Sequence, residues 1–162
     1  MNALIVMDLQ PSNMQTATHY LVPAIKELIA HHKFDTVASS VLLPYTNAPY
    51  NADMEWDGRT NVETSLVKTG TDFVRCTYTM WTPEFEAWVA ENDIHTFYLV
   101  GCNTDTGILT TAYDLLQHGL NVCIIPRLCA SKHGHGYHAA SMLLLERNLG
   151  KQHIIKNEEV LP

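Results

Sequence analysis

The chain has 162 residues, of which 46% are hydrophobic and 17% charged, proportions typical of one compact globular domain. Its net charge of −7, without any block of lysine or arginine, argues against binding to nucleic acid or to an anionic membrane. Its apolar stretches are too short for a transmembrane helix, and its first residues lack the basic segment of a signal peptide. We therefore expect a cytoplasmic location, in keeping with four cysteines that lack zinc-type spacing and that we interpret as unpaired, buried thiols.

Strand-like and helix-like stretches alternate along the chain, which predicts parallel strands joined by right-handed helical crossovers. The predicted strands are Ala3–Met7, Thr36–Leu42, Asp72–Cys76, Thr96–Val100, Val122–Ile125 and His153–Lys156. The predicted helices are Val22–Ala30, Thr82 to about Asn92, Asp105–Gln117 and Tyr137–Asn148. The expected fold is therefore a three-layer α/β/α sandwich with a six-stranded, mostly parallel, Rossmann-like sheet, formed by residues 1–162 as one domain.

The segment Leu43–Gly70 interrupts this alternation. It is rich in Pro, Asn, Asp and Gly, and it carries Tyr45, Tyr50 and Trp56 without a clear period. A stretch of this length without regular structure is usually a functional cover or a partner surface. We expect its aromatic residues either to cover a pocket or to make ordinary packing or subunit contacts.

Three residues follow predicted strands at the edge of the sheet where ligands bind in such folds. Asp8 follows the first strand, Arg75 ends the third, and Gly107 lies in the turn after the fourth. A carboxylate at this rim is partly desolvated and can exchange protons, although a turn or helix cap is an equally good interpretation of Asp8. Gly107 stands where a nucleophile would be useful, and glycine offers none.

Several segments together form a known pattern. They are Ala3–Gln10, with its Asp-x-Gln end, Thr71–Trp81, Gly101–Ala112, Pro126–Ser131, His138–Ala140 and Glu146–Gly150. This pattern resembles the isochorismatase-like, or cysteine hydrolase, superfamily, which includes nicotinamidases and isochorismatases. The resemblance spans nearly the whole chain and is weakest between Leu43 and Gly70.

The resemblance implies a catalytic aspartate, a lysine and a nucleophilic cysteine, with backbone N–H groups at a helix start, often after a cis peptide, holding the oxyanion. In this sequence the aspartate corresponds to Asp8, the lysine to Arg75 and the cysteine to Gly107. Without a thiol at position 107 the usual acyl-enzyme cannot form. Arginine keeps the positive charge but does not pass protons, and its planar fork suits a carboxylate, either that of Asp8 or that of a ligand. Isochorismatases resemble this chain in having glycine at the cysteine position, but they retain the lysine.

Two functions are compatible with this pattern. The first is a hydrolase that acts without a covalent thiol intermediate on a small polar or carboxylate-bearing molecule, with Asp8 as acid or base and Arg75 anchoring negative charge. The second is a degenerate relative that binds a metabolite or a partner protein without turnover. The residues expected to hold the small-molecule ligand are Gln10, Trp81, Asn103, Thr104 and Gly107. Relatives also form dimers or larger assemblies, so the resemblance implies a homo-oligomer.

Two other groups of residues have competing interpretations. His133, His135 and His138 could bind a transition metal, but surface histidines with His138 in a framework position are favoured. Cys76 and Cys102 could replace the missing nucleophile, but packed structural thiols are favoured. We therefore predict neither a metal nor a cofactor.

Overall fold

The centre of the fold is a five-stranded sheet in which every neighbouring pair of strands is parallel, as seen in a computed structural model that describes residues 1–43 and 63–162. The strand order is β3-β2-β1-β4-β5. The strands are β1 Asn2–Met7, β2 Thr36–Leu42, β3 Asp72–Arg75, β4 Thr96–Cys102 and β5 Asn121–Ala130. The α/β architecture predicted from the alternating pattern is confirmed.

The predicted sixth strand, His153–Lys156, is reduced to a single parallel bridge between Ile154 and Ile124. The chain reaches this point through a short 3-10 turn, Lys151–His153, which leaves little extended backbone to pair. The backbone hydrogen bond of this bridge from Ile155 N–H to the Ile124 carbonyl oxygen, at 2.8 Å, holds the segment against β5. Within residues 1–43 and 63–162 the sheet therefore has five strands, where the sequence predicts six.

Helices cover both faces of the sheet. They are α1 Leu21–His31, α2 Pro83–Glu91, α3 Leu109–Gln117 and α4 His135–Leu149. A π-helical turn, Thr104–Ile108, leads from β4 into α3. Thr82 caps α2 by accepting a hydrogen bond from Phe85 N–H, with proline at the first helical position, as the sequence predicts. None of the described helices is long and apolar enough to cross a membrane.

The alternation of side chains along β1 divides the core into two layers. Leu4 and Val6 pack with α1 on one face, whereas Ala3, Ile5 and Met7 pack with α2, α3 and α4 on the other. All five residues are fully buried, which explains why this central strand is apolar from Ala3 to Met7. Asp8 is therefore the first polar residue after the apolar part of β1, and it lies at the carboxyl end of the sheet.

Part of the predicted cover segment Leu43–Gly70 can be described. Residues 44–62, and with them Tyr45, Tyr50 and Trp56, lie outside the described residues. The described part of this segment contacts the chain just after β1, because Leu66 N–H donates to the Leu9 carbonyl oxygen at 2.8 Å. Val67 joins the core layer formed with α1.

Candidate functional site

Asp8 and Arg75 form a buried ion pair at the carboxyl end of the sheet. Arg75 Nη1 lies 2.5 Å from Asp8 Oδ1 and Arg75 Nη2 lies 2.7 Å from Asp8 Oδ2, the geometry of a bidentate pair. Each residue is only 2% exposed. Asp8 adopts φ 48° directly after β1, a left-handed conformation that aspartate tolerates better than most residues. Its own N–H donates to the Ser40 carbonyl oxygen at 3.1 Å, which fixes this turn against β2.

The hydrogen-bonding capacity of this pair is used within the protein. Asp8 Oδ1 also accepts from Ser40 Oγ at 2.8 Å. Arg75 donates to the Tyr78 carbonyl oxygen from Nε at 3.3 Å and from Nη2 at 3.1 Å, and to Ser40 Oγ from Nη1 at 3.3 Å. Every nitrogen of the guanidinium therefore has a protein acceptor. We call this a closed pair, because both carboxylate oxygens and all guanidinium nitrogens are hydrogen-bonded within the protein.

Gly107 is buried beside the same pair. A Cβ atom placed on Gly107 would lie 2.8 Å from Arg75 Nη2 and 3.2 Å from Asp8 Oδ2. The first distance is shorter than side-chain contacts allow, so any larger residue at position 107 requires the guanidinium to move. The arginine and the glycine are therefore linked by packing, since the guanidinium fills the space that a side chain at position 107 would need.

The turn before Gly107 contains a cis peptide bond between Cys102 and Asn103, a feature that the resemblance implies. Asn103 Oδ1 accepts from Lys132 N–H at 2.9 Å, and the Asn103 carbonyl oxygen accepts from Thr106 and Ile108 N–H. Thr104 is fully buried, and its Oγ1 lies 2.9 Å from His138 Nδ1. The side chains of Asn103 and Thr104, predicted to bind a ligand, thus make internal hydrogen bonds, Asn103 to the loop before α4 and Thr104 to α4 itself.

Gln10 also makes internal hydrogen bonds. Its Oε1 accepts from Leu42 N–H at 2.8 Å, and its Nε2 donates to the Leu42 carbonyl oxygen at 3.0 Å and to Glu63 Oε2 at 2.5 Å. Glu63 in turn accepts from Ser12 N–H at 2.9 Å and from Ser12 Oγ at 2.6 Å. Gln10 therefore links the ends of β1 and β2 to the side chain of Glu63.

Trp81 lies among the helices on one face of the sheet. Its ring stacks on His118, with centroids 3.8 Å apart and planes 18° from parallel, and it meets the edge of Phe85 at 6.0 Å. One face of the indole is therefore covered by a side chain of the protein itself. These contacts pack Trp81 against α2 and the end of α3, and its predicted contact with a ligand stays a prediction.

The sequence does not predict a second polar group, which consists of Asp105 in the π-helical turn together with Tyr78 and His138. Asp105 Oδ1 is buried and has no hydrogen-bond partner among the described residues. Burial and the nearby Asp105 charge raise the pKa of Tyr78. Burial and the neighbouring His135 lower the pKa of His138, while Asp105 opposes that shift. No spacing rule in the sequence indicates that these side chains converge.

The thiols and histidines bear on the remaining interpretations. Burial raises the pKa of Cys102 far above its ordinary value, and burial raises the pKa of Cys129 to about 12. A thiol so reluctant to ionise is a poor nucleophile. His135 and His138 have ring centroids 6.0 Å apart. Within residues 1–43 and 63–162, no group of three or more His, Cys, Asp or Glu side chains is placed to hold a metal ion.

A parallel sheet covered on both faces, with a polar site at its carboxyl edge and a turn into a helix after β4, defines a three-layer α/β/α protein. The sequence model of the isochorismatase domain matches residues 2–153. The chain therefore belongs to the isochorismatase family, whose fold and hydrolase character the resemblance predicts.

Solved structures agree on the fold. An isochorismatase-like hydrolase from Alkaliphilus metalliredigens superimposes with a TM-score of 0.72 at 14% identity, covering 95% of this chain and 93% of that chain. A pyrazinamidase/nicotinamidase from Streptococcus mutans gives 0.74 at 14% identity, with coverages of 96% and 100%. The MAR1 ribonuclease from Caenorhabditis elegans gives 0.69 at 22% identity, with coverages of 98% and 77%. A comparison with curated protein sequences found no match.

Proposed function

We propose that this chain is a member of the isochorismatase family that does not turn over substrate at the family's usual position and acts through binding. The observation that carries the proposal is the closed Asp8–Arg75 pair, in which both carboxylate oxygens and every guanidinium nitrogen are bonded within the protein. Of the two functions compatible with the sequence, this geometry favours the degenerate relative.

The position of the nucleophile supports this proposal. Gly107 supplies no attacking group, and the guanidinium of Arg75 lies against it. Cys102, in the same turn, is fully buried and resists ionisation. A covalent thiol route therefore has no candidate in this turn.

A route through water activated by Asp8 would first have to open the ion pair. The carboxylate is 2% exposed and is held on both oxygens. Breaking a buried pair by removing one partner costs roughly 3–5 kcal/mol, because a charge is left uncompensated. An opening of similar cost would leave about one molecule in a hundred or fewer ready to react. Such a form is a poor starting point for a general base.

The experiment is a hydrolysis screen with product detection by mass spectrometry. The substrates are nicotinamide, pyrazinamide, further small amides and carbamoyl compounds, vinyl ethers including isochorismate, and single-stranded RNA. The Streptococcus mutans pyrazinamidase/nicotinamidase serves as the positive control, and Asp8→Asn of this chain serves as the background. We expect wild-type protein and Asp8→Asn to be indistinguishable. Wild-type turnover that is abolished in Asp8→Asn, while circular dichroism shows that this variant is still folded, would show that the Asp8 hydrolase hypothesis is correct and that this proposal is wrong.

A thermal-shift screen tests the binding half of the proposal. Small carboxylates and amides are the probes, because ligands of open parallel sheets bind beyond the carboxyl ends of the strands, where Asp8 and Arg75 lie, and PnC1 from L. infantum was solved in complex with the small carboxylate nicotinate. A ligand that binds only the folded protein raises the melting temperature in proportion to its occupancy. A rise in wild-type protein that persists in Asp8→Asn indicates metabolite binding without chemistry. No rise with any probe favours a protein partner over a metabolite.

A further inference from the structure

One carboxylate near the carboxyl edge of the sheet takes no part in the closed pair. Asp105 lies in the π-helical turn between β4 and α3, two residues before Gly107. Its Oδ1 atom is buried, yet it accepts no hydrogen bond from any of the residues described. Buried polar atoms in folded proteins are nearly always hydrogen-bonded, so this exception requires an explanation. Asp105 as a whole is only partly buried, so a molecule in solution can approach it.

Asp105 also has no direct counter-charge. No lysine, arginine or histidine among residues 1–43 and 63–162 forms an ion pair with it. Arg75 is bound to Asp8 through both of its terminal nitrogens. Lys132, in the loop before α4, has a charge that reaches Cys102 at the end of β4, where it opposes the rise in pKa that burial causes. The Asp105 carboxylate therefore attracts small cations and repels small anions.

Two aromatic side chains lie close enough to Asp105 for its charge to act on them. The bond between Thr104 Oγ1 and His138 Nδ1, at 2.9 Å, holds the imidazole beside the turn. Arg75 holds the backbone of Tyr78 by donating to its carbonyl oxygen from Nε and Nη2. Burial lowers the pKa of His138, so the imidazole is neutral near neutral pH and supplies no counter-charge. The phenol ring of Tyr78 favours a cation over an anion.

We propose that Asp105 is the recognition group of a binding site for a small primary ammonium ion at the turn between β4 and α3. An ammonium group supplies both the N–H donor that Oδ1 lacks and the positive charge that faces no partner here. A water molecule supplies only the donor. A carboxylate ligand has no comparable partner, because the five N–H donors of Arg75 all bond within the protein. The inference rests on the proposed function, binding, and names the class of ligand.

Titration of the ¹⁵N-labelled full chain, followed by two-dimensional NMR, tests the site. The probes are methylammonium, ethanolamine and putrescine, with acetate and acetamide as the anionic and uncharged counterparts, all at one ionic strength. The ammonium probes should shift the amide signals of residues 104–107 and of His138. Asp105→Asn, which keeps the shape of the side chain but removes its charge, should raise the dissociation constant roughly ten-fold or more. Asp114→Asn is the matched control, because Asp114 is also a partly buried aspartate but lies within α3, and it should bind like wild type.

Three results would overturn the inference: ammonium probes that leave the signals of residues 104–107 unmoved in wild-type protein, a folded Asp105→Asn that binds them as tightly as wild type, or acetate that moves the same signals as strongly. The second result is expected if Asp105 only stabilises the start of the helical turn. Circular dichroism verifies that the variants are folded, and the wild-type titrations decide the matter if Asp105→Asn is not. Acetate binding without ammonium binding would contradict this inference and leave the proposed binding function intact. Turnover lost in a folded Asp8→Asn would instead contradict the proposed function.

Discussion

The Asp8→Asn substitution should destabilise the fold strongly. It keeps the shape of the side chain but removes the charge that faces Arg75, a residue 2% exposed. The guanidinium is then buried without a counter-charge, and removing one member of such a pair costs roughly 3–5 kcal/mol. Ser40→Ala removes the hydrogen bond to Asp8 and the longer one from Arg75 but leaves both charges paired; it is the matched control and should cost only about 1–2 kcal/mol.

Urea denaturation followed by tryptophan fluorescence measures both free energies of unfolding. Asp8→Leu combined with Arg75→Met replaces the pair with apolar groups, and it should cost less than Asp8→Asn alone, because neither charge is left buried. An Asp8→Asn cost below about 1 kcal/mol, in the range of an exposed ion pair, would refute this reasoning. A stabilising Asp8→Asn would indicate an aspartate kept for catalysis at the expense of stability.

The packing and charge of the site lead to three further predictions. Gly107→Ala should lower the free energy of unfolding in urea by about 1–3 kcal/mol, since its Cβ would lie 2.8 Å from Arg75 Nη2. Adding Arg75→Lys should relieve part of that loss, and strictly additive effects in the double variant would contradict the proposed packing of Arg75 against Gly107. Gln10→Ala should cost about 1–3 kcal/mol because the Leu42 backbone groups lose their partner; an unchanged urea midpoint would show that the interaction is not needed. Burial lowers the pKa of His138, so the unfolded chain takes up a proton near pH 6.5 that the folded protein does not. The free energy of unfolding should therefore fall as the pH drops below that value. His138→Gln should make this pH dependence shallower, and an unchanged slope in the variant would show that other groups cause it.

The fold could be predicted because its signals are local. β1 is apolar from Ala3 to Met7 because both of its faces are covered, and Thr82 with Pro83 marks the start of α2 at the predicted residue. The prediction of a sixth strand was wrong because an apolar stretch indicates extended, buried chain but not how many of its residues pair with a neighbouring strand. Around Ile154 only one bridge forms.

The sequence predicts which residues lie close together at the site, but it does not predict which hydrogen bonds their side chains make. Asp8, Arg75 and Gly107 come together because the carboxyl ends of parallel strands share one edge of the sheet. Whether a polar side chain at that edge faces a ligand or a neighbouring backbone depends on distances that no spacing encodes. Gln10 shows the difficulty, because its partner Glu63 lies 53 residues away along the chain. The coupling of Gly107 to Arg75 likewise appears only when a Cβ atom is built in three dimensions.

Nuclear magnetic resonance of the Arg75 guanidinium tests the central claim, a closed Asp8–Arg75 pair, most directly. In a closed pair, rotation about the bonds to Nη1 and Nη2 is hindered and water is kept away. We expect separate, slowly exchanging Nη–H signals that are assigned by their loss in Arg75→Lys and collapse in Asp8→Asn. A single averaged Nη signal in rapid exchange with water would show that the pair is open to solvent, and it would contradict the account.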